Sequence, residues 1–134
     1  MARLSAERAA NRLAHWQQVA ISACEQCGRN MLPKIHAPLD LMLWLQQTGS
    51  MPDTALSVAK YILLPGGAAS LHDQVKPQGK VVLLIGAEGG FSQAESTAAL
   101  QCGYIPIRLG ARVMRTETAA IAGIAVLQTL WGDF

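Results

Sequence analysis

Apolar positions recur at Leu13, Trp16, Ala20, Ala23 and Cys27, in steps of three and four that line one stripe of a helix over residues 5–27. Gly28 and Asn30 end that helix, with Pro33 beyond. A second, shorter helix fits residues 39–47, rich in Leu and Met around Trp44, with Gly49 closing it. The period then changes. Residues 60–64 read as a buried strand stopped by Pro65, Gly66 and Gly67. Residues 80–85 hold the clearest strand: VVLLI does not alternate, which suits a parallel strand covered on both faces. Residues 92–102 form a helix opened by a capping box of Ser92 and Glu95, residues 105–109 a third strand, and residues 116–131 a long closing helix. Strands alternating with helices predict an α/β fold, a mostly parallel sheet flanked by helices with right-handed connections. Residues 49–54 are the single linker-like stretch and are too short to divide domains, so one domain over 1–134 is expected.

Ligand sites in such sheets lie beyond the carboxyl ends of the strands, where Pro65, Gly86 and Gly110 all fall. Two segments there have the same grammar of strand edge, glycine-bearing bend and helix start: LLIGAEGGFSQAE (83–95) and LGARVMRTETAAI (109–121). Gly89 and Gly90 permit positive φ and close approach of a ligand. In the second segment Arg112, Arg115 and Glu117 gather charge beside a helix start at Thr116, which reads as an N-cap. GAEGG lacks the lysine and Ser/Thr of a P-loop, and its spacing is not that of the dinucleotide fingerprint. Glu88 would repel phosphate and suits a cationic ligand; a bend that merely turns the chain is the alternative.

With 134 residues, 51% of them hydrophobic and 15% charged, the chain is long enough for one real core. Gln, Lys and Gly interrupt every apolar run before it could span a membrane, and no secretory signal core is present, so the expected location is cytoplasmic. A net charge of +2 argues against gripping nucleic acid by bulk electrostatics alone. Locally, Arg3, Arg8, Arg12 and Arg29 are expected in the first helix, and Arg108, Arg112 and Arg115 cluster near the second bend. From composition alone such a basic face is usually just a solvated one. Cys24 and Cys27 have metal-ligand spacing, but no second pair follows and His15, His36 and His72 are scattered. Core packing of both cysteines on a helical face is expected, with no metal site and no disulfide.

GAEGGFS and LGARVMRTETA, together with HWQQVAISACEQCGRNMLPKI upstream, resemble the ribosomal RNA small subunit methyltransferase E family of the knotted SPOUT methyltransferases. Three separated motifs in the right order, covering most of the chain, carry the resemblance. It implies a carboxy-terminal trefoil knot, S-adenosylmethionine as cofactor, and methylation of N3 of a uridine in small-subunit rRNA, free or within the assembled small ribosomal subunit. Ala87 stands where the family usually has proline. The family also places a strand-rich RNA-binding domain and an opening β-α-β stretch before the point where this sequence begins.

The resemblance further implies a donor site on Leu64, Pro65, Gly86, Glu88, Gly89, Gly90, Leu109, Gly110, Val113, Met114, Arg115 and Thr118, with Val113 and Met114 enclosing the adenine. Uracil N3 is a poor nucleophile until its proton leaves. Arg115 would stabilise charge developing on the uracil oxygens, and Glu88 or Glu117 would accept the proton. Both glutamates have simpler readings, Glu117 as a match to the helix dipole. Thr118 sits in the first helical turn, bonded locally or to ligand. Gln26, Arg29 and Arg112 are the candidate RNA contacts, although Glu25 and Arg29 could simply pair along one helix face. A homodimer is implied, with Ile121, Ile124, Leu127 and Trp131 offering an apolar face for dimer or core. The alternative is a noncatalytic module that binds cofactor and dimerises without engaging rRNA.

Overall fold

The computed structural model describes residues 5–49 and 58–134. Arg3 and residues 50–54 of the linker-like stretch lie outside the described residues. The chain forms two compact units, the first running to Asp40 and the second from Leu41 to Phe134.

The first unit is built on α1 (Ala6–Cys27). Ser5 caps it, its side-chain oxygen accepting from the Arg8 amide at 3.4 Å. Gly28, at φ 71°, ends it in the left-handed conformation, and the Arg29 amide donates back to the Cys24 carbonyl at 3.0 Å. Arg29 therefore lies past the helix end, and the expected i, i+4 face shared with Glu25 does not form. The buried stripe is also rotated from the expected one. Cys24 is buried and Ala9, Leu13, Ala20 and Ile21 are half-buried, whereas Trp16, Ala23 and Cys27 are exposed. Spacings of three and four fit two adjacent stripes of one helix, and the chain chose between them when the segment after Gly28 folded back. The Cys24 thiol contacts the Met31 carbonyl at 3.9 Å.

The second unit is a parallel sheet of four strands: β1 (Ala59–Leu63), β2 (Ala69–Ser70), β3 (Val81–Leu84) and β4 (Ile105–Arg108), in the order β2-β4-β1-β3. β1 is central, with Ala59 opposite Val81 and Leu63 opposite Ile107. Successive side chains point to opposite faces, and β1 shows it. Ile62 packs with Leu45 of α2 (Leu41–Gly49) and with Ala99 of α3 (Gln93–Gln101) and Tyr104, while Tyr61 packs with Leu71, Ile107 and the α4 helix (Thr116–Trp131). The result is a three-layer α/β arrangement.

The apolar run of β3 meets its expectation of cover on both faces, Val82 and Leu84 joining one cluster and Val81 and Leu83 the other. It is nevertheless an edge strand among the described residues, so all four of its residues stay partly exposed. β2 and the 3-10 turn Leu71–Asp73 that follows it were not expected; two residues are too few to show a period. α4 reaches the sheet through Gly123, where a Cβ would come within 2.9 Å of Leu83. Its apolar residues divide: Val126, Leu127, Leu130 and Trp131 enter the core, whereas Ile121 and Ile124 remain 73% and 57% exposed.

Candidate functional site

Because β1, β3 and β4 run parallel, their carboxyl ends leave the sheet on the same side. Each end breaks immediately: β1 at Leu64 and Pro65, β3 at Ile85 and Gly86, β4 at Leu109 and Gly110. A cleft of about 610 Å³ opens there, within the size range of small-molecule sites. Three stretches line it, from residues 63–65, 85–91 and 108–119.

The stretch after β3 owes its shape to glycine. Ala87 and Gly90 close a tight turn, the Gly90 amide donating to the Ala87 carbonyl at 2.7 Å, and Gly90 holds φ 70°. Of the two glycines that permit a positive φ here, Gly90 uses it and Gly89 does not. Gly86 faces this turn so closely that a Cβ would stand 3.1 Å from the Gly90 backbone. The capping box forms as read: the Ser92 amide donates to Glu95 Oε2 at 2.8 Å and the Glu95 amide to the Ser92 hydroxyl at 3.2 Å. It fixes where α3 begins, and so where the turn ends.

The stretch after β4 turns at Gly110, φ 81°, and enters α4. Arg115 occupies the N-cap position, with extended backbone and no side-chain cap, so the expectation of Thr116 as N-cap is corrected. Thr116 is the first helical residue, and its hydroxyl donates to the Gly86 carbonyl across the cleft at 2.9 Å.

Leu63, Leu64, Ile85, Phe91, Leu109 and Met114 are half-buried and give the cleft an apolar floor. Its rim is exposed and charged, with Arg108, Arg112 and Arg115 against Glu88 and Glu117. Val113, 79% exposed, lies on that rim rather than enclosed. Such a cleft can hold an apolar ring below and anionic or acidic groups above.

A sequence model of the RNA methyltransferase domain matches residues 1–128. The chain belongs to this family. It is 37% identical over 124 residues, 92% of its own length and 47% of the other, to ribosomal RNA small subunit methyltransferase E of Buchnera aphidicola subsp. Acyrthosiphon pisum. Two solved structures are similar throughout this chain. One is a ribosomal RNA small subunit methyltransferase E from Neisseria gonorrhoeae bound to S-adenosyl methionine, with 41% identity and a TM-score of 0.85, covering 100% of this chain and 54% of that one. The other is a Legionella pneumophila protein in complex with SAM, with 36% identity and a TM-score of 0.86, covering 100% and 52%. The chain thus spans about half the length of the relatives it matches.

Within this RNA methyltransferase domain, every donor-site residue expected from the sequence lines the cleft except Thr118, which is exposed and absent from the lining. Two residues beyond Thr116, about half a helical turn, it points away from the cleft that Thr116 and Ala119 line. Glu117 and Arg112 are at the cleft too. Gln26 and Arg29 belong to the first unit, both exposed, Gln26 in the last turn of α1 and Arg29 just beyond it. Sequence reasoning did not assign Leu63, Ile85, Phe91, Arg108 and Thr116 to the site. Four of these adjoin or sit inside the two bends, so the signal was position alone. No helix among the described residues is long and apolar enough to cross a membrane.

Proposed function

We propose that this domain binds S-adenosylmethionine in the cleft and methylates N3 of a uridine in small-subunit rRNA, working as a homodimer. The observation that carries the reading is the convergence of three glycine- or proline-broken strand ends on one cleft with an apolar floor and arginines at its mouth. The cleft fits the cofactor by volume, by the apolar floor under an adenine ring, and by the Glu88 carboxylate, which suits a cationic ligand. The bends at Leu64, Gly86 and 109–114 would hold adenine and ribose. The carboxy-terminal trefoil knot and the treatment of 1–134 as one SPOUT-type domain belong to the same proposal. The exposed pair Ile121 and Ile124 supports the homodimer.

When bound, the cofactor supplies an electrophilic methyl group, so catalysis rests largely on alignment of donor and acceptor. Glu88 or Glu117 takes the N3 proton, and Arg115, with a rigid fork of donors, stabilises the anion that its loss leaves on the uracil oxygens. Arg112, Gln26 and Arg29 are assigned to the RNA.

Calorimetric titration with S-adenosylhomocysteine, followed by a methylation assay on small ribosomal subunits, tests this. Arg115→Ala is expected to bind the cofactor product within a few-fold of the parent while methyl transfer falls by about a hundredfold or more, the scale of losing one charge-stabilising group. Equal transfer by both removes Arg115 from the chemistry, and no binding by the parent chain ends the proposal. The half-length coverage favours a second reading, in which these residues by themselves bind cofactor and dimerise without turnover. Binding without methylation selects it.

A further inference from the structure

The Thr116 hydroxyl bonds to a carbonyl 30 residues away, at the opposite wall of the cleft. β3 and β4 are not neighbours in the sheet, because β1 lies between them. Their ends are therefore two strand spacings apart, roughly 10 Å, and no ladder hydrogen bond sets the distance between the stretches that follow. Leu64 is tied to β4 through the Ile107 carbonyl at 3.0 Å, and the turn after β3 is tied to itself through Ala87 and Gly90. Among the described residues, Thr116 to Gly86 is the one hydrogen bond joining 85–91 to 109–119.

Both ends of this bond are firmly placed. Gly86 is pressed against the Gly90 backbone, and α4 is anchored to the sheet by Leu127, Leu130 and Trp131. A Thr side chain is stiff at χ1, so its hydroxyl is a short, directional strut. The bond has nothing to do with capping, since Thr116 is already inside the helix.

We propose that Thr116 is a positioning residue, a latch that fixes the width of the cleft and holds Arg115, next to it in the chain, in register with the bend at 86–90. As a statement about methyl transfer it rests on the donor-site reading above; as a statement about the cleft it does not. Three variants of the full chain test it. Thr116→Val keeps the shape and removes the donor, Thr116→Ser keeps the donor, and Thr129→Val removes a similar hydroxyl-to-carbonyl bond, Thr129 to Ala125 at 2.8 Å, on an exposed part of the same helix.

The first readout is hydrogen–deuterium exchange of 85–91 without ligand. Thr116→Val is expected to speed exchange there about five- to tenfold, the value of roughly one net hydrogen bond, with Thr116→Ser within twofold of the parent and Thr129→Val unchanged. The second is S-adenosylhomocysteine titration, expected to weaken by a similar factor in Thr116→Val alone. If the parent binds no S-adenosylhomocysteine, the donor reading fails and the exchange result still decides the latch. Parent-like exchange at 85–91 in Thr116→Val, or a Ser variant no better than Val, overturns it. Should Val not fold, Thr116→Ala replaces it with the same expectations.

Discussion

Gly67 is buried where the turn after β1 crosses the backbone of β4, and a single methyl group placed there tests how the cleft is built. An alanine Cβ would lie 2.5 Å from the Ile107 carbonyl carbon, 2.7 Å from its oxygen and 3.0 Å from the Arg108 nitrogen. Comfortable contacts between such atoms begin near about 3.5 Å, so the two backbones must separate by about 1 Å. Neither is a flexible side-chain tip. The separation strains one of two hydrogen bonds: Leu64 amide to Ile107 carbonyl at 3.0 Å if Leu64 moves with the turn, or Gly67 amide to Leu64 carbonyl at 2.9 Å if it does not. Losing one costs about 1 kcal/mol net, and the overpacking adds about 1 to 3, for a total of roughly 2 to 4 kcal/mol. Gly66, one residue away, has open space around its Cβ position, and alanine there should change stability by less than about 1 kcal/mol. Urea unfolding followed by circular dichroism measures both, with the m-value as the check that the unfolded reference is unchanged. Because Leu64 and Pro65 line the cleft, Gly67→Ala should also weaken S-adenosylhomocysteine while Gly66→Ala does not. A Gly67→Ala protein within about 1 kcal/mol of Gly66→Ala refutes the claim that these two backbones are in fixed contact.

Both tyrosines of the chain are buried, and desolvation raises the phenol of Tyr61 and pushes that of Tyr104 up to about 12, with the Cys102 charge adding to the latter. A folded pKa above the unfolded one means stability that is whole below about pH 10 and is lost as pH climbs from 10 through about 12. Phenolate absorbance should show no step near pH 10 in the native protein and both tyrosines titrating there in urea; a native step at pH 10 contradicts the burial argument. Ser92→Ala removes the hydroxyl that accepts the Glu95 amide and should cost about 1 kcal/mol in the same urea assay. No change would mean that the capping box adds nothing to α3.

The elements legible in the sequence were those bounded by strong local signals. α4 runs Thr116–Trp131 as read, and β1, β3 and β4 fall within a residue or two of expectation, because Pro65, Gly86 and Gly110 punctuate them. The cleft was legible for the same reason: in a parallel sheet, broken strand ends share one side. Cys24 rather than Cys27 faces inward because a chain reversal after Gly28 selected the stripe, and periodicity cannot see a reversal. Thr118 was misplaced by half a helical turn. Thr116 reads as a cap since Thr before an apolar helix usually is one; Gly86 is marked in the sequence as a strand end, but a bond between residues 30 apart is not.

The cleft separates its tasks by depth. Leu63, Ile85 and Leu109 continue directly from strands whose other side chains form the core, so the floor is as rigid as the sheet and nearly without charge. The charged residues are all exposed at the rim: Glu88, Arg112 and Arg115 on stretches that have left the sheet, Arg108 at the last position of β4, and Glu117 in the first turn of α4. Under the proposed reading, donor binding then rests on shape, while recognition of the base and of RNA phosphate rests on charge in a screened, solvent-exposed rim. The two walls carrying those charges belong to non-adjacent strands, with one hydroxyl spanning them. In the proposed roles Glu88 and Arg115 face each other across that span, so their register over a bound base depends on the Thr116 bond, whereas Glu117 shares the wall of Arg115 and does not need it.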